Sequence, residues 1–164
     1  PVTNSNNTKD NDLDALFRNI KLFKNLNFLI TASNHDTGGN EINLKIKKFV
    51  KLNKNTKFIH NLGRDLYYQA MNECEFMIGN SSSGIIESMI YKKPSINILP
   101  RQLGRQSNKN VINCNNSFFE IKKCINKASS EKFKQKCKKL NNVFDKKKNN
   151  PSEIILNKII KNYG

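Results

Sequence analysis

The residues best suited to bind a ligand form a short loop of small hydroxylated side chains between two apolar segments. The loop and its flanks contain Gly79, Ser81, Ser82, Ser83, Gly84 and, one turn further on, Glu87. Serine hydroxyls and backbone N–H groups at the start of a helix bind anions, and the helix dipole favours negative charge there. The pattern is typical of a phosphate site. A serine-capped turn without a ligand explains the same residues equally well.

Two arginines lie in a second loop, which we call the arginine loop (residues 101–105). Arg101 and Arg105 are four residues apart and flank Gly104. Planar guanidinium groups match phosphate oxygens, and a glycine allows the loop to fold over a ligand. Two ordinary surface arginines are the alternative interpretation.

Further polar groups belong to the same type of site. Glu87 could accept hydrogen bonds from ribose hydroxyls, as an acidic residue does in dinucleotide sites, or simply interact with the helix N-terminus. Asn34, in the loop 33–39, is equally explained by a side-chain turn that caps the next helix. His35 and His60 are assigned no catalytic role, because single histidines near strand ends are more often structural.

The elements that must position these loops alternate between two periodicities. Short apolar runs at 27–31, 56–60, 75–79, 95–99 and 111–113 predict buried strands. Apolar residues at helical spacing predict helices from about residue 11, at 42–50, 66–74, 85–90 and 118–128, within 132–150, and after Pro151. Alternation of this kind predicts an α/β fold with a doubly wound, mainly parallel, Rossmann-like sheet. Ligands bind such sheets beyond the carboxyl ends of the strands, where the loops described above lie.

Composition sets outer limits on function. The chain has 164 residues, enough for one domain with its own core, and its 29 basic against 13 acidic residues give a net charge of +16. That charge could attract a polyanion. The basic residues are mostly lysine, are spread along the chain and accompany abundant asparagine, a composition that codon usage in an AT-rich genome would produce. This favours a solvated lysine-rich surface over a nucleic-acid partner.

Cysteine and histidine usage indicates neither a metal nor a redox site. The four cysteines form no C-x-x-C pair, and the chain has two histidines. With no apolar stretch near 18 residues and no signal-peptide pattern, the sequence predicts a soluble cytoplasmic protein with reduced thiols and no membrane partner.

Several motifs in fixed order resemble one enzyme family. They are Gly-Asn-Ser-Ser-Ser-Gly-Ile-Ile-Glu at 79–87, Pro-Ser-Ile-Asn-Ile at 94–98, Arg-Gln-Leu-Gly-Arg at 101–105, Ser-Asn-His-Asp-Thr-Gly-Gly at 33–39 and Asn-Leu-Gly-Arg-Asp-Leu-Tyr at 61–67. Together they resemble the C-terminal half of UDP-N-acetylglucosamine 2-epimerases, in particular the hydrolysing branch that feeds sialic and nonulosonic acid synthesis. The resemblance runs from Pro1 to about Ala128.

The resemblance implies one UDP-binding, Rossmann-like domain over residues 1–164, with a helical basic tail at about 129–164. This domain would be the second half of a glycosyltransferase B-type fold, whose N-terminal half is absent here. A UDP-sugar is the implied ligand, no cofactor or metal is implied, and a homo-oligomer is compatible with it. The implied UDP-binding residues are Asn34, Leu62, Ser81, Ser82, Glu87 and Arg101, with Ser83, Gly84 and Arg105 as additional phosphate or loop contacts.

In this family the enzyme eliminates UDP from the sugar to form a glycal, and addition of water yields N-acetylmannosamine or a diacetylated analogue. Two other classes remain open on the sequence alone. The chain could be the donor-nucleotide-binding half of a glycosyltransferase, which shares the fold. It could also be a basic module that binds nucleic acid, although it lacks interleaved aromatic stacking residues.

The 164 residues by themselves are predicted to be inactive. The family's acid/base carboxylates belong to the N-terminal half, and the histidine that precedes a Pro-Val-Thr-like segment in the family has no counterpart before Pro1. Without general acid/base groups the chain should release no UDP from UDP-N-acetylglucosamine. A coupled assay for UDP measures this, with the product of the complete reading frame as the positive control. Steady UDP release by the 164 residues would contradict the prediction.

Overall fold

Helices and strands alternate along most of the chain. The computed structural model describes residues 13–33, 38–98, 101–102, 104–143 and 150–163. The strands are β1 (Phe28–Thr31), β2 (Thr56–Ile59), β3 (Met77–Gly79), β4 (Ser95–Ile98) and β5 (Val111–Cys114). The helices are α1 (Asp14–Leu22), α2 (Gly39–Leu52), α3 (Gly63–Glu73), α4 (Ser83–Ile86), α5 (Phe118–Ser129), α6 (Glu131–Lys138) and α7 (Pro151–Tyr163). The predicted order of strands and helices is confirmed.

The strands are parallel and belong to two sheets. In one sheet β1 pairs with β2, with Ile30 opposite Phe58. In the other the order is β3-β4-β5, and Gly79, Asn97 and Asn113 lie side by side at its carboxyl edge. The predicted parallel α/β architecture is confirmed, with the described strands divided between two sheets. Parallel strands linked through helices give the Rossmann-like arrangement, in which carboxyl ends share one edge.

Much of the described core belongs to two clusters of buried apolar side chains, and some partly buried side chains contact both clusters. The larger cluster packs α5 and α6 against β4 and β5, with Ile121, Ile125 and Ala128 fully buried. The smaller one joins α1, β1 and α2 through Ile20, Phe28 and Phe49. The side chains that contact both clusters are Leu16, Phe23, Leu26 and Phe76. Apolar packing is therefore continuous between the two sheets although no backbone ladder joins them among the described residues.

All four cysteines are free thiols, and three belong to buried positions of the core. Burial, together with the adjacent Cys124 thiol, raises the pKa of Cys114 to about 12. A thiol that stays protonated at neutral pH is a poor nucleophile, so Cys114 acts here as a small apolar core residue.

The side-chain amide of Asn55 joins the end of α1 to the start of β2. Its Nδ2 donates to the carbonyl oxygens of Ile20, Phe23 and Leu26 at 3.2, 3.3 and 3.1 Å. The last carbonyls of a helix lack partners within the helix and need donors from elsewhere. Asn55, which immediately precedes β2, supplies that donor, so helix end and strand start are joined.

The helix after the serines is shorter than the sequence predicted. Residues 85–90 were expected to be helical, but α4 ends at Ile86, and the chain continues as turns to Lys92. The Ser88 amide donates to the Ser83 carbonyl at 3.0 Å, and the Lys93 amide donates to the Ser88 carbonyl at 3.0 Å. Each bond spans five residues, one more than the hydrogen bonds of an α-helix. Lys92 then adopts φ 54°, which ends the helical path.

A buried side-chain network holds this turn against the sheet. Asn110, which is fully buried, donates from Nδ2 to Ser88 Oγ at 2.8 Å and to the Lys93 carbonyl at 2.7 Å. Ser88 Oγ in turn donates to the Gly84 carbonyl at 2.8 Å. Asn110 also accepts the Ser95 amide through its own carbonyl at 3.0 Å. The segment from Gly84 to Lys93 is thus attached to the starts of β4 and β5.

Helices follow one another in the C-terminal part of the described chain. Serine caps begin α5 and α6: Ser117 Oγ accepts the Glu120 amide and Ser130 Oγ accepts the Phe133 amide, each at 3.3 Å. The helix expected within 132–150 is α6, and residues 144–149 of that range lie outside the described residues. Every residue of α7 is exposed. None of the helices in the described ranges has the length and apolar character needed to cross a membrane.

Replacing Asn110 should destabilise the domain. Asn110→Ala removes two donors from the buried acceptors at Ser88 and Lys93, and we expect the free energy of unfolding to fall by about 2 kcal/mol. Urea unfolding followed by circular dichroism measures this. Asn126→Ala, at an exposed position of α5, serves as the matched control and should change little. Equal effects of the two substitutions would show that the network contributes nothing.

Candidate functional site

The candidate site lies at the carboxyl edge of β3 and β4. We call residues 80–84, which follow β3, the serine loop. Ser81 is exposed, whereas Ser82, Ser83, Gly84 and Glu87 are partly buried. Because β3 ends at Gly79, beside Asn97 of β4, the serine loop begins at the edge where parallel α/β sheets bind ligands.

Local hydrogen bonds give the serine loop its shape. Ser81 Oγ accepts the Ser83 amide at 3.3 Å, and the Ser81 carbonyl accepts the Gly84 amide at 3.2 Å. Ser82 is the N-cap of α4, but its side chain makes no cap hydrogen bond. The capping interpretation of the serines therefore applies to Ser81, which forms a side-chain turn, and not to Ser82.

Gly84 is needed where the loop approaches β4. A Cβ atom at this position would lie 2.8 Å from Ser95 Oγ, and Ser95 is only 1% exposed. Beneath the loop is a cavity of about 30 Å³, lined by Met77, Ile78, Gly79, Ser81, Gly84, Ser95, Ile96 and Asn97. That volume fits a water molecule and no nucleotide. A nucleotide would therefore have to bind on the open outer side of the loop.

Tyr67 joins α3 to the serine loop, a role that its place on the apolar face of a predicted helix did not reveal. Its hydroxyl is close enough to the Ser83 side chain and the Glu87 carboxylate for both to influence its pKa. Burial, opposed by the Ser83 hydrogen bond and reinforced by the charge of Glu87, raises the pKa of Tyr67. The hydroxyl is therefore protonated at neutral pH and can donate a hydrogen bond.

The start of α3 places Leu62 on the same helix as Tyr67. Gly63 adopts φ 67°, and its amide donates to Asn61 Oδ1 at 2.8 Å. Positive φ favours glycine, so this tight side-chain turn explains the Asn-Leu-Gly order of the motif. Leu62 is half-buried at the N-cap of α3.

The arginine loop, described except for Leu103, is attached to the serine loop. Gln102, which is 5% exposed, donates from Nε2 to the Asn80 carbonyl at 2.9 Å. Arg101 and Arg105 are both exposed. Gln102 was not singled out from the sequence, because a glutamine between two arginines gives no signal of burial.

One expected site residue is not described by the structure, and a second concavity lies away from the serine loop. Asn34 and His35 lie outside the described residues, and His60 is exposed just after β2. A concavity of about 570 Å³ is lined by Lys21, Lys24, Leu52, Asn53, Lys54 and Asn55. It lies where β2 begins, at the edge opposite the one that binds ligands in this architecture. We therefore assign the candidate site to the serine loop, which the arginine loop contacts.

Parallel strands, intervening helices and converging loops at one carboxyl edge define a Rossmann-like α/β domain. Comparison with known proteins gives its family. A family model described as UDP-N-acetylglucosamine 2-epimerase matches residues 1–159. The chain therefore belongs to the UDP-N-acetylglucosamine 2-epimerase family.

Individual relatives agree with this assignment. The chain is 34% identical over 136 residues to a GDP/UDP-N,N'-diacetylbacillosamine 2-epimerase (hydrolyzing) of Campylobacter jejuni, covering 82% of this chain and 35% of the relative. It is 37% identical over 134 residues to the polysialic acid biosynthesis protein P7 of Escherichia coli, covering 81% and 34%. A Legionella pneumophila UDP-N,N'-diacetylbacillosamine 2-epimerase (hydrolyzing) is 31% identical over 100 residues, covering 61% and 26%. The chain spans about a third of the length of the first two relatives.

The contact between Gly84 and Ser95 can be tested through the sign of a stability change. Helix propensity alone would make Gly84→Ala stabilising by up to about 1 kcal/mol. Because the new Cβ would meet Ser95 Oγ, we expect a loss of about 1 to 3 kcal/mol instead. The double variant Gly84→Ala, Ser95→Ala should recover part of that loss relative to Ser95→Ala alone. Urea unfolding of all four proteins gives the coupling, and purely additive effects would contradict the contact.

Proposed function

We propose that this chain supplies the UDP-binding part of a hydrolysing UDP-N-acetylglucosamine 2-epimerase. The observation that carries the proposal is the hydrogen bond from Gln102 to the Asn80 carbonyl. It joins a loop with two arginines to a loop with three serines, at the carboxyl edge of a parallel sheet. Membership of the epimerase family supports the choice of nucleotide.

The diphosphate would bind between these two loops. Ser81 and Ser82 would donate from hydroxyl and backbone N–H groups, with Ser83 and Gly84 as neighbouring loop contacts. Arg101 and Arg105, both exposed, would approach from the opposite side and neutralise charge on the phosphate oxygens. A doubly charged ligand group fits a loop that carries small donors and lies near arginine.

The nucleoside would lie toward α3. Glu87, a carboxylate near the Tyr67 hydroxyl, would accept hydrogen bonds from the ribose hydroxyls. Leu62, at the start of α3, would meet the uracil through its backbone, and Asn34 would complete the nucleotide site. Tyr67 adds a protonated hydroxyl to these groups, and both Ser83 and Glu87 influence its pKa.

In the proposed reaction the anomeric C–O bond to UDP breaks as a proton leaves C2, which gives a glycal. Water then adds across the double bond, with oxygen at C1 and hydrogen at C2, and the product is the 2-epimer of the free sugar. The site described here would stabilise the departing diphosphate, which is the electrostatic part of the reaction. No residue of this chain is assigned the proton transfers.

The sugar is either N-acetylglucosamine or a diacetylated bacillosamine-type sugar. The family description names the first, and two relatives carry names that contain the second. Family membership also favours an epimerase over the glycosyltransferase half and over the basic nucleic-acid-binding module. A basic nucleic-acid-binding module would show steeply salt-dependent binding to nucleic acid and little preference for UDP over other anions.

Three substitutions test the nucleotide site. Ser82→Ala, Glu87→Ala and Arg101→Ala each remove one proposed contact, and we expect each to weaken UDP binding by about 1 to 3 kcal/mol, which is roughly 5- to 150-fold. Isothermal titration calorimetry with the product of the complete reading frame measures the dissociation constants.

The controls are matched in residue type or charge and belong to other helices of the chain. They are Ser152→Ala, Glu41→Ala and Lys48→Ala, all at exposed positions. Urea unfolding of each variant separates loss of binding from loss of folding. Unchanged UDP affinity in all three site variants would remove the site assignment.

A further inference from the structure

Gln102 is a buried side chain whose amide pairs through its nitrogen and not, among the described residues, through its oxygen. It is 5% exposed, and its Nε2 donates to the Asn80 carbonyl at 2.9 Å. Its Oε1 is buried as well and has no hydrogen-bond partner in the part of the chain that the structure describes. The orientation of the amide follows from chemistry, because only the NH₂ group can face a carbonyl oxygen.

A buried amide oxygen without a partner lowers the stability of the folded state. A buried acceptor without a partner forfeits its hydration, and this loss is comparable to or larger than the net gain from a single hydrogen bond. An apolar side chain of the same length would fill the space without leaving an unpaired oxygen. What the buried amide of Gln102 provides at this cost is a hydrogen bond between two separate loops.

The hydrogen bond joins two loops that carry different ligand groups. Asn80 begins the serine loop directly after β3, and Gln102 lies between the exposed Arg101 and Arg105. The Arg105 amide also donates to the Gln102 carbonyl at 3.3 Å, so the backbone around Gln102 is folded as a turn. Fixing the Gln102 side chain thus fixes the loop from which both guanidinium groups extend.

We propose that Gln102 is a positioning residue, which holds the arginine loop against the serine loop so that both contact one diphosphate. The proposal rests on the proposed function. Gln102 itself need not touch the ligand. It acts through the arginines, because a loop that is already held in place loses less conformational entropy when the ligand binds. A loop held in place before binding gives tighter binding from the same contacts.

A double-mutant cycle tests the proposal. Gln102→Met keeps the length of the side chain and removes the amide, and it is compared in the unsubstituted background and in an Arg101→Ala, Arg105→Ala background. Gln106→Met, at the exposed position directly after the arginine loop, is the matched control. Calorimetry with UDP gives the affinities, and urea unfolding gives the stabilities, all with the product of the complete reading frame.

We expect Gln102→Met to weaken UDP binding about tenfold in the unsubstituted background. Without the arginines the same substitution should change the affinity by less than about twofold, because nothing remains for Gln102 to position. The urea midpoint should change little, because the substitution removes the unpaired buried oxygen and also removes the donor to the Asn80 carbonyl. Gln106→Met should leave affinity and midpoint unchanged.

Two results would overturn the proposal. One is an equal loss of affinity in both backgrounds, which would mean that Gln102 acts independently of the arginines. The other is a lower urea midpoint with UDP affinity unchanged, which would mean that Gln102 is only structural. Failure of the unsubstituted protein to bind UDP, or an arginine double variant with full affinity, would overturn the proposed function and the positioning role with it.

Discussion

The buried amide of Asn110 is the interaction on which the geometry of the site depends. Its Nδ2 reaches Ser88 Oγ and the Lys93 carbonyl, and Ser88 continues to the Gly84 carbonyl. A single side chain at the start of β5 therefore sets the path of the chain after the serines. The regular α-helix after β3 is only four residues long, so this turn cannot rely on a helical ladder for its shape. Side-chain hydrogen bonds replace the ladder.

A short helix has a consequence for how an anion can be held. The summed dipole of a long helix is unavailable from α4, whose regular part ends at Ile86. Local hydroxyl and N–H donors, together with the full charges of the arginine loop, must then supply most of the attraction for a phosphate. This explains why the link between the two loops matters more here than the helix start, which the sequence pattern had emphasised.

Strand positions could be predicted from the sequence because buried parallel strands form short apolar runs bounded by polar residues. The early end of α4 could not, since Ile85, Met89 and Ile90 have the spacing of a regular helix. The rings closed by Ser88 depend on Asn110, which is 22 residues away in sequence. Tyr67 and Gln102 escaped notice for the same reason. Each makes its informative contact with a residue on another loop, and local periodicity does not report such pairings.

Asn55 gives the opposite end of the domain a different property. Because its amide binds three carbonyls around the end of α1 while its own backbone leads into β2, that helix end cannot open without disturbing the strand. Helix ends usually fray independently of the sheet and exchange their amide hydrogens early. Here the last turn of α1 and the β1–β2 pair should form one cooperative unit in hydrogen exchange. The first sheet, in which the structure describes two strands, thereby gains a helix as part of its own unfolding unit.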